Sequence, residues 1–246
     1  MNKNLVKIAL NSGQKHAGVR KGPDAILKNL AFPVWNTVRS IEVHEEEDPI
    51  RASLRLVDQI HYEKSSKTVF LGGDHSISIG TIGGIKKKSK VLWIDAHADL
   101  NTPESSLSNN YHGMPLAILG GLIPSSHPLS HLKCLDLATD VMYVGLRDID
   151  PFESEQIEKH GIPFHTSEKI LSSGLDSVLT DIEKFSRDAD HFHVSFDIDV
   201  ANSHIAPGTG TPTPHGLHRS HLIRLIDCIR DNTPWKSFEM VEVNPD

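Results

Sequence analysis

Val91-Leu92-Trp93-Ile94-Asp95-Ala96-His97-Ala98-Asp99-Leu100-Asn101-Thr102 begins as an apolar run too short for a helix and breaks off into Asp, His and Asp at alternate positions. Strands covered on both faces of a parallel sheet carry such continuous runs, and open α/β sheets place their sites beyond the carboxyl ends of their strands. The stretch therefore predicts a buried strand that delivers Asp95, His97 and Asp99 at its end. Extended backbone would aim all three to one side, and even in a loop they stay within reach of one ion. Taken alone, the same residues also read as a polar loop that caps a helix through Asp99 or Asn101.

Two further runs end the same way. Thr68-Val69-Phe70-Leu71 leads into Gly72-Gly73-Asp74-His75-Ser76, and Phe192-His193-Val194-Ser195-Phe196 leads into Asp197-Ile198-Asp199. Carboxylates massed together repel one another unless cations lie between them, and burying them unpaired is costly. The candidate ligands His75, Asp95, His97, Asp99, Asp197 and Asp199 comprise four carboxylates and two imidazoles. Two divalent ions would balance that charge, so the count favours a binuclear site. Oxygen-dominated ligation with imidazole and no thiolate argues against a structural zinc and suits Mn²⁺ first, then Mg²⁺, Co²⁺ or Fe²⁺.

Gly72-Gly73-Asp74-His75-Ser76, Asp95-Ala96-His97-Ala98-Asp99 and Ser195-Phe196-Asp197-Ile198-Asp199, in this order, resemble the three signatures of the ureohydrolases, the family of arginase, agmatinase and formiminoglutamase. The resemblance spans nearly the whole chain. It implies a three-layer α/β/α sandwich on a mostly parallel sheet of about eight strands. It also implies two manganese ions per chain, held by the six residues named above, that activate a bridging water. The long polar loop from Asn101 to Pro115 is of the kind that is functional or disordered in compact domains. Its spacing, from Asp99 through Asn101, Ser108 and Asn110 to His112-Gly113, resembles arginase specifically.

By that resemblance Asn101 and Ser108 contact an amino acid's α-carboxylate, Asn110 assists through water, and His112 shuttles protons. His112 otherwise reads as a turn histidine. With no acidic residue close to it in sequence, its expected pKa is near neutral. Asp150 resembles the residue that meets the α-amino group, with Glu153 beside it, although both also read as acids at a helix N-terminus. Thr211 and Glu242 complete the implied substrate set, with Glu242 binding the guanidinium. Asp99 would accept the water's proton as well as ligating, and His112 would protonate the leaving amine.

At 246 residues, without a linker or a shift in composition, the chain reads as one domain over 1–246. The formal charge of −7 is spread without long blocks, and Lys86-Lys87-Lys88 reads as a solvated turn, which leaves no case for nucleic acid. No stretch is apolar and long enough to act as a signal or a membrane span, and only Cys134 and Cys228 are present, so a cytoplasmic location is expected.

Leu5–Leu10 predicts a first strand, and Pro23 opens the helix after it. Gly13 and Gly18 between them have phosphate-loop spacing, but Val19-Arg20 replaces the required Lys-Ser/Thr, and the loop instead resembles the ureohydrolase N-terminal signature. Apolar stripes predict helices at Ile50, Leu54, Val57 and Ile60, at Leu175, Val178, Leu179 and Ile182, and at Leu222, Leu225, Ile226 and Ile229. His215, His218 and His221 read as a solvated face.

Two departures from the family stand out. Val200-Ala201-Asn202-Ser203 replaces the usual Gly-Leu-Asp-Pro after Asp199, which puts the support of that ligand in question. The family's C-terminal helix is also expected to be missing, which bears on a trimeric or hexameric homo-oligomer. The reading as a whole is a binuclear manganese hydrolase that cleaves the small guanidino substrate L-arginine to ornithine and urea. The alternatives are agmatinase or another guanidino hydrolase, and a catalytically weakened metal-binding scaffold of the same ancestry.

Overall fold

Residues 91–94 are buried on both sides, with Val91 and Trp93 in one apolar cluster and Leu92 and Ile94 in another. A strand of that kind must lie inside a sheet covered by helices on both faces, and it does. The structure, a computed structural model, describes residues 2–15, 17–30, 35–44, 47–63 and 66–246. His16, in the glycine-bearing loop, lies outside them.

The strands are β1 Asn2–Ile8, β2 Thr37–Ile41, β3 Ser66–Gly72, β4 Ser89–Ile94, β5 Val141–Leu146, β6 Phe164–Thr166, β7 His191–Asp197 and β8 Trp235–Val241. They form one eight-stranded sheet in the order β2-β1-β3-β8-β7-β4-β5-β6, and every pairing is parallel. The helices are α1 Gly22–Asn29, α2 Pro49–Gln59, α3 Ile77–Gly83, α4 Pro115–Gly120, α5 Leu137–Asp140, α6 Pro151–His160, α7 Ser167–Ser173, α8 Asp176–Ser186 and α9 Arg219–Asn232. Proline in the first turn opens α1, α2, α4 and α6, where its missing N–H is no loss. Asp48 adds a cap to α2 by accepting from the N–H groups of Ile50 and Arg51 at 3.0 and 3.2 Å.

One apolar layer joins Trp93 and Tyr143 to Ile82 of α3, Ile118 of α4, Leu137 of α5 and Ile157 of α6. The opposite layer joins Ile94 and Val144 to Ile170 of α7, Ile182 of α8 and Leu225 of α9. This is the expected α/β/α sandwich. Among the described residues no helix is long and apolar enough to cross a membrane.

Some local expectations shift. The first strand ends at Ile8 and leaves Leu10 buried just beyond it. In α2 the deepest residues are Ala52, Ser53 and Leu56, while Ile50, Leu54 and Val57 are only partly buried. The helix is wedged between two clusters, so its buried face is rotated from the apolar stripe. Neither edge strand was legible: four of the five residues of β2 are exposed, and β6 has three residues.

Gly145 stands where β5 shifts register against β6, at φ +104°, and a Cβ there would lie 2.4 Å from Val200 and 3.0 Å from the Asp95 carbonyl oxygen. Left-handed strain costs about 1–3 kcal/mol and overpacking a further ~1–3 kcal/mol. Gly145→Ala is expected to lower the free energy of urea unfolding by about 2–6 kcal/mol. A variant within about 0.5 kcal/mol of the parent would show that the neighbourhood yields.

Candidate metal centre

β3, β8, β7 and β4 are consecutive in the sheet, so their carboxyl ends open on one crater. Three of these ends turn by the same device, a carboxylate accepting the N–H two residues on. Asp74 accepts from Ser76 at 2.9 Å, Asp95 from His97 at 2.8 Å and Asp197 from Asp199 at 2.8 Å. Each turn folds the chain back over the strand end and brings the next polar side chain to the crater. Asp99 and Glu242 reach it from left-handed backbone, at φ 48° and 61°. For residues other than glycine such conformations cost about 1–3 kcal/mol and persist only where the surroundings impose them.

The six residues expected as ligands converge there. His75 Nδ1 lies 3.1 Å from Asp95, 3.0 Å from Asp99 and 3.2 Å from Asp197. His97 Nδ1 lies 3.0 Å from Asp199 and 3.5 Å from Asp95. Two groups with metal-ligand spacing result, His75/Asp95/Asp99 and Asp95/His97/Asp199, and Asp95 belongs to both. Asp95 turns one oxygen to each imidazole, as a bridging ligand would. His75 Nδ1 is buried without a hydrogen-bond partner among three carboxylates, so the donor set fits a cation at that position.

Burial, reinforced by neighbouring carboxylates, raises the pKa of Asp99 and Asp197 and brings Asp199 up to about 6. Burial acts on Asp95 in the same direction, but its contacts with His75 and His97 outweigh it and hold the carboxyl below the usual range. Burial opposes charge on His75 and His97 too, yet the surrounding carboxylates drive both well above the ordinary imidazole value.

A cleft of about 240 Å³ opens over the cluster, lined by His97, Asp99, Asn101, Ser108, His112, Asp150, Glu153, Asp197 and Thr211 among the residues anticipated from sequence, and by Ser106, Leu107 and Asp148 besides. Asn101 Nδ2 donates to Asp150 at 2.8 Å, and Thr211 Oγ1 donates to Asp199 at 3.3 Å. Glu153 accepts from the backbone N–H groups of Leu100 and Asp150 at 2.9 and 3.0 Å, so it is the helix-terminal acid of α6 as well as a wall of the cleft. Asn110 and Glu242 are not in the lining. The Asn110 backbone N–H donates to Ser108 Oγ at 3.2 Å, and Glu242 lies beneath, accepting from the His75 N–H at 2.8 Å and Gln14 Nε2 at 2.6 Å.

The near-neutral pKa expected for His112 does not hold. Burial works against its charge, but Glu242, 130 positions away in sequence and 3.2 Å away in space, raises the imidazole to about 9. Local sequence held no sign of that partner.

The altered turn after Asp199 is firmly held. Val200 and Ala201 are buried, and Leu217 N–H donates to the Val200 carbonyl at 2.9 Å. The Arg147 guanidinium donates to the carbonyls of Asp199, Val200, Ala201 and Thr213. Arg147 and Trp93, whose Nε1 donates to Asp95 at 3.0 Å and whose ring stacks on His75 at 4.2 Å, were both missed from sequence. Only the position of Trp93, two residues before Asp95 on the same strand face, could have pointed to it.

A parallel α/β sheet with paired His/Asp groups at its central strand ends has the features of a metal-dependent hydrolase. The sequence profile described as the arginase family matches residues 4–246. An arginase of Entamoeba histolytica is 34% identical over 259 residues, covering 95% of this chain and 87% of its own length. The crystal structure of that organism's arginase in complex with L-ornithine superposes with a TM-score of 0.88 at 31% identity over 99% of this chain and 92% of its own. Arginase from Bacillus subtilis does so with a TM-score of 0.89 at 28% identity over 100% and 91%. The chain belongs to the arginase family. It is a hydrolase acting on a guanidino C–N bond.

Replacing the shared carboxylate tests the pairing of the two groups. Wild-type protein is expected to hold about two divalent ions per chain, and Asp95→Asn about one or none. Elemental analysis after desalting reads the count, and an Asp95→Asn protein that retained both ions would exclude a bridging role.

Proposed function

We propose that the chain is a binuclear manganese enzyme that hydrolyses L-arginine to L-ornithine and urea. The observation that supports this reading is the placement of Asn101, Ser108 and Asp150 in one cleft with the His75/Asp95/Asp99 and Asp95/His97/Asp199 groups at its floor. Oxygen ligands with two imidazoles suit Mn²⁺, and Mg²⁺, Co²⁺ and Fe²⁺ follow it.

A guanidinium is charged and resonance-stabilised, so neutral water attacks it poorly. A metal held by His75, Asp95, His97, Asp99, Asp197 and Asp199 would supply a water acidic enough to act as hydroxide near neutral pH, and Asp99 would be the residue placed to accept its proton. Glu242 holds the guanidinium once the substrate draws it from His112 and Gln14. Asn101 and Ser108 receive the α-carboxylate, with Asn110 assisting through water, and Asp150, backed by Glu153, receives the α-amino group. Thr211 steadies Asp199. His112, protonated beside Glu242, is placed to pass its proton to the leaving amine.

Agmatine lacks the α-carboxylate, so binding it would leave polar groups in the cleft unpaired, and sites of that kind reject analogues by about 10⁴-fold or more. Urea release from arginine and agmatine by manganese-loaded protein should differ by that order in kcat/KM. Equal rates would point to agmatinase or a broader guanidino hydrolase, and no release from either would point to a scaffold. Asp150→Ala should narrow the preference for arginine. His112→Ala should keep its metal and lose kcat far more than it raises KM. If this variant loses metal, His112 belongs with the ligands; if kcat is unchanged, it has no part in proton transfer.

A further inference from the structure

Behind the crater, in the interior of the sheet, lies a carboxylate that the reaction just described does not use. Glu239 of β8 is fully buried, and Ser195 of β7 stands in register with it. Ser195 Oγ lies 2.7 Å from Glu239 Oε1 and 2.7 Å from His75 Nε2, so the hydroxyl joins the buried acid to an imidazole of the metal centre. Glu239 also accepts from the hydroxyls of Ser78 and Thr81, the latter at 2.6 Å.

The hydroxyl donors along this path converge on Glu239. Three hydroxyls donate to Glu239, and an ionised carboxylate has no proton to give back. His193 Nε2 lies 3.2 Å from Glu239 Oε1 as well. Ser195 has one proton, and it goes to Glu239. The contact between Ser195 Oγ and His75 Nε2 must then be made with the imidazole as donor. A neutral His75 therefore carries its proton on Nε2 and turns the Nδ1 lone pair toward Asp95, Asp99 and Asp197.

We infer that Glu239 is a positioning residue which, through Ser195, fixes the metal-binding tautomer of His75. The inference rests on the metal reading given above. Without the carboxylate, Ser195 is free to donate to Nε2, the proton moves to Nδ1, and the ligand atom is blocked. Metal-binding histidines are commonly oriented by an acceptor on the second ring nitrogen, and loss of such a partner costs about 10–100-fold in metal affinity. Here the acceptor is a hydroxyl whose direction is set one bond further out.

Manganese(II) is titrated into metal-free protein, with the free ion read by electron paramagnetic resonance and the fold of each metal-free variant checked by circular dichroism. Glu239→Gln keeps the shape but its amide can donate to Ser195, and it should weaken the tighter manganese site about 10–100-fold. Ser195→Ala should cause a loss of similar size, and the double variant little more than either alone, because both cut one path. Glu239→Asp, which keeps an ionised acceptor, should recover most of the affinity.

Unchanged manganese affinity in Glu239→Gln or Ser195→Ala overturns the inference, and so do losses that simply add. If Glu239→Gln does not fold, Ser195→Ala decides by itself, since wild-type affinity in that variant is incompatible with the path. A wild-type chain that holds no manganese instead overturns the metal reading, which separates the two failures.

Discussion

Four carboxylates, Asp95, Asp99, Asp197 and Asp199, are buried within a few ångströms of two imidazoles at the centre of the sheet. Their mutual repulsion in a medium of low effective dielectric constant is the constraint to which the surrounding structure responds. One imidazole, His97, stands between Asp95 and Asp99 in the chain, and the other, His75, comes from the end of a different strand. The raised pKa values of His75 and His97 and of Asp99, Asp197 and Asp199 express one imbalance, an excess of buried negative charge. A pair of divalent ions would relieve the same imbalance.

Holding such a cluster requires rigid surroundings. The left-handed backbone at Asp99 and Glu242 is strain retained where side chains must be aimed, and both residues are pinned by neighbours. The Asp99 carbonyl accepts from Leu116 N–H, and Glu242 N–H donates to the Gly73 carbonyl. Outside them, Trp93 braces Asp95 and His75, while Arg147 ties the turn after Asp199 to the end of β5. Arg147 donates to backbone carbonyls of the Val200–Ser203 turn, a hold that does not depend on which side chains the turn carries.

The cleft adds a second electrostatic pattern. His112 and Glu242 form a close pair beside the cluster, and Asn101 and Asp150 form another on the wall. In each pair a donor already meets an acceptor before any substrate arrives. A ligand that enters the cleft must exchange those bonds for its own.

The covered strands β3, β4, β5 and β7, and the polar bursts at their carboxyl ends, were determined by sequence alone. Continuous apolar runs such as Val91–Ile94 and Val141–Leu146 can be satisfied only inside a covered sheet, and the positions of His75, Asp95 and Asp197 follow from where those runs stop. Sequence did not determine which ends would be neighbours. The same alternation of strands and helices is compatible with many lateral orders, because periodicity records what faces a residue meets and not which strand lies beside it. Tertiary structure placed β3, β8, β7 and β4 side by side, and that adjacency put Glu242 against His112 and Glu239 against Ser195. It also rotated α2 away from its apolar stripe and closed Asn101 onto Asp150. These are contacts between residues far apart in the chain, and they exist only because the packed sheet brings them within hydrogen-bond distance.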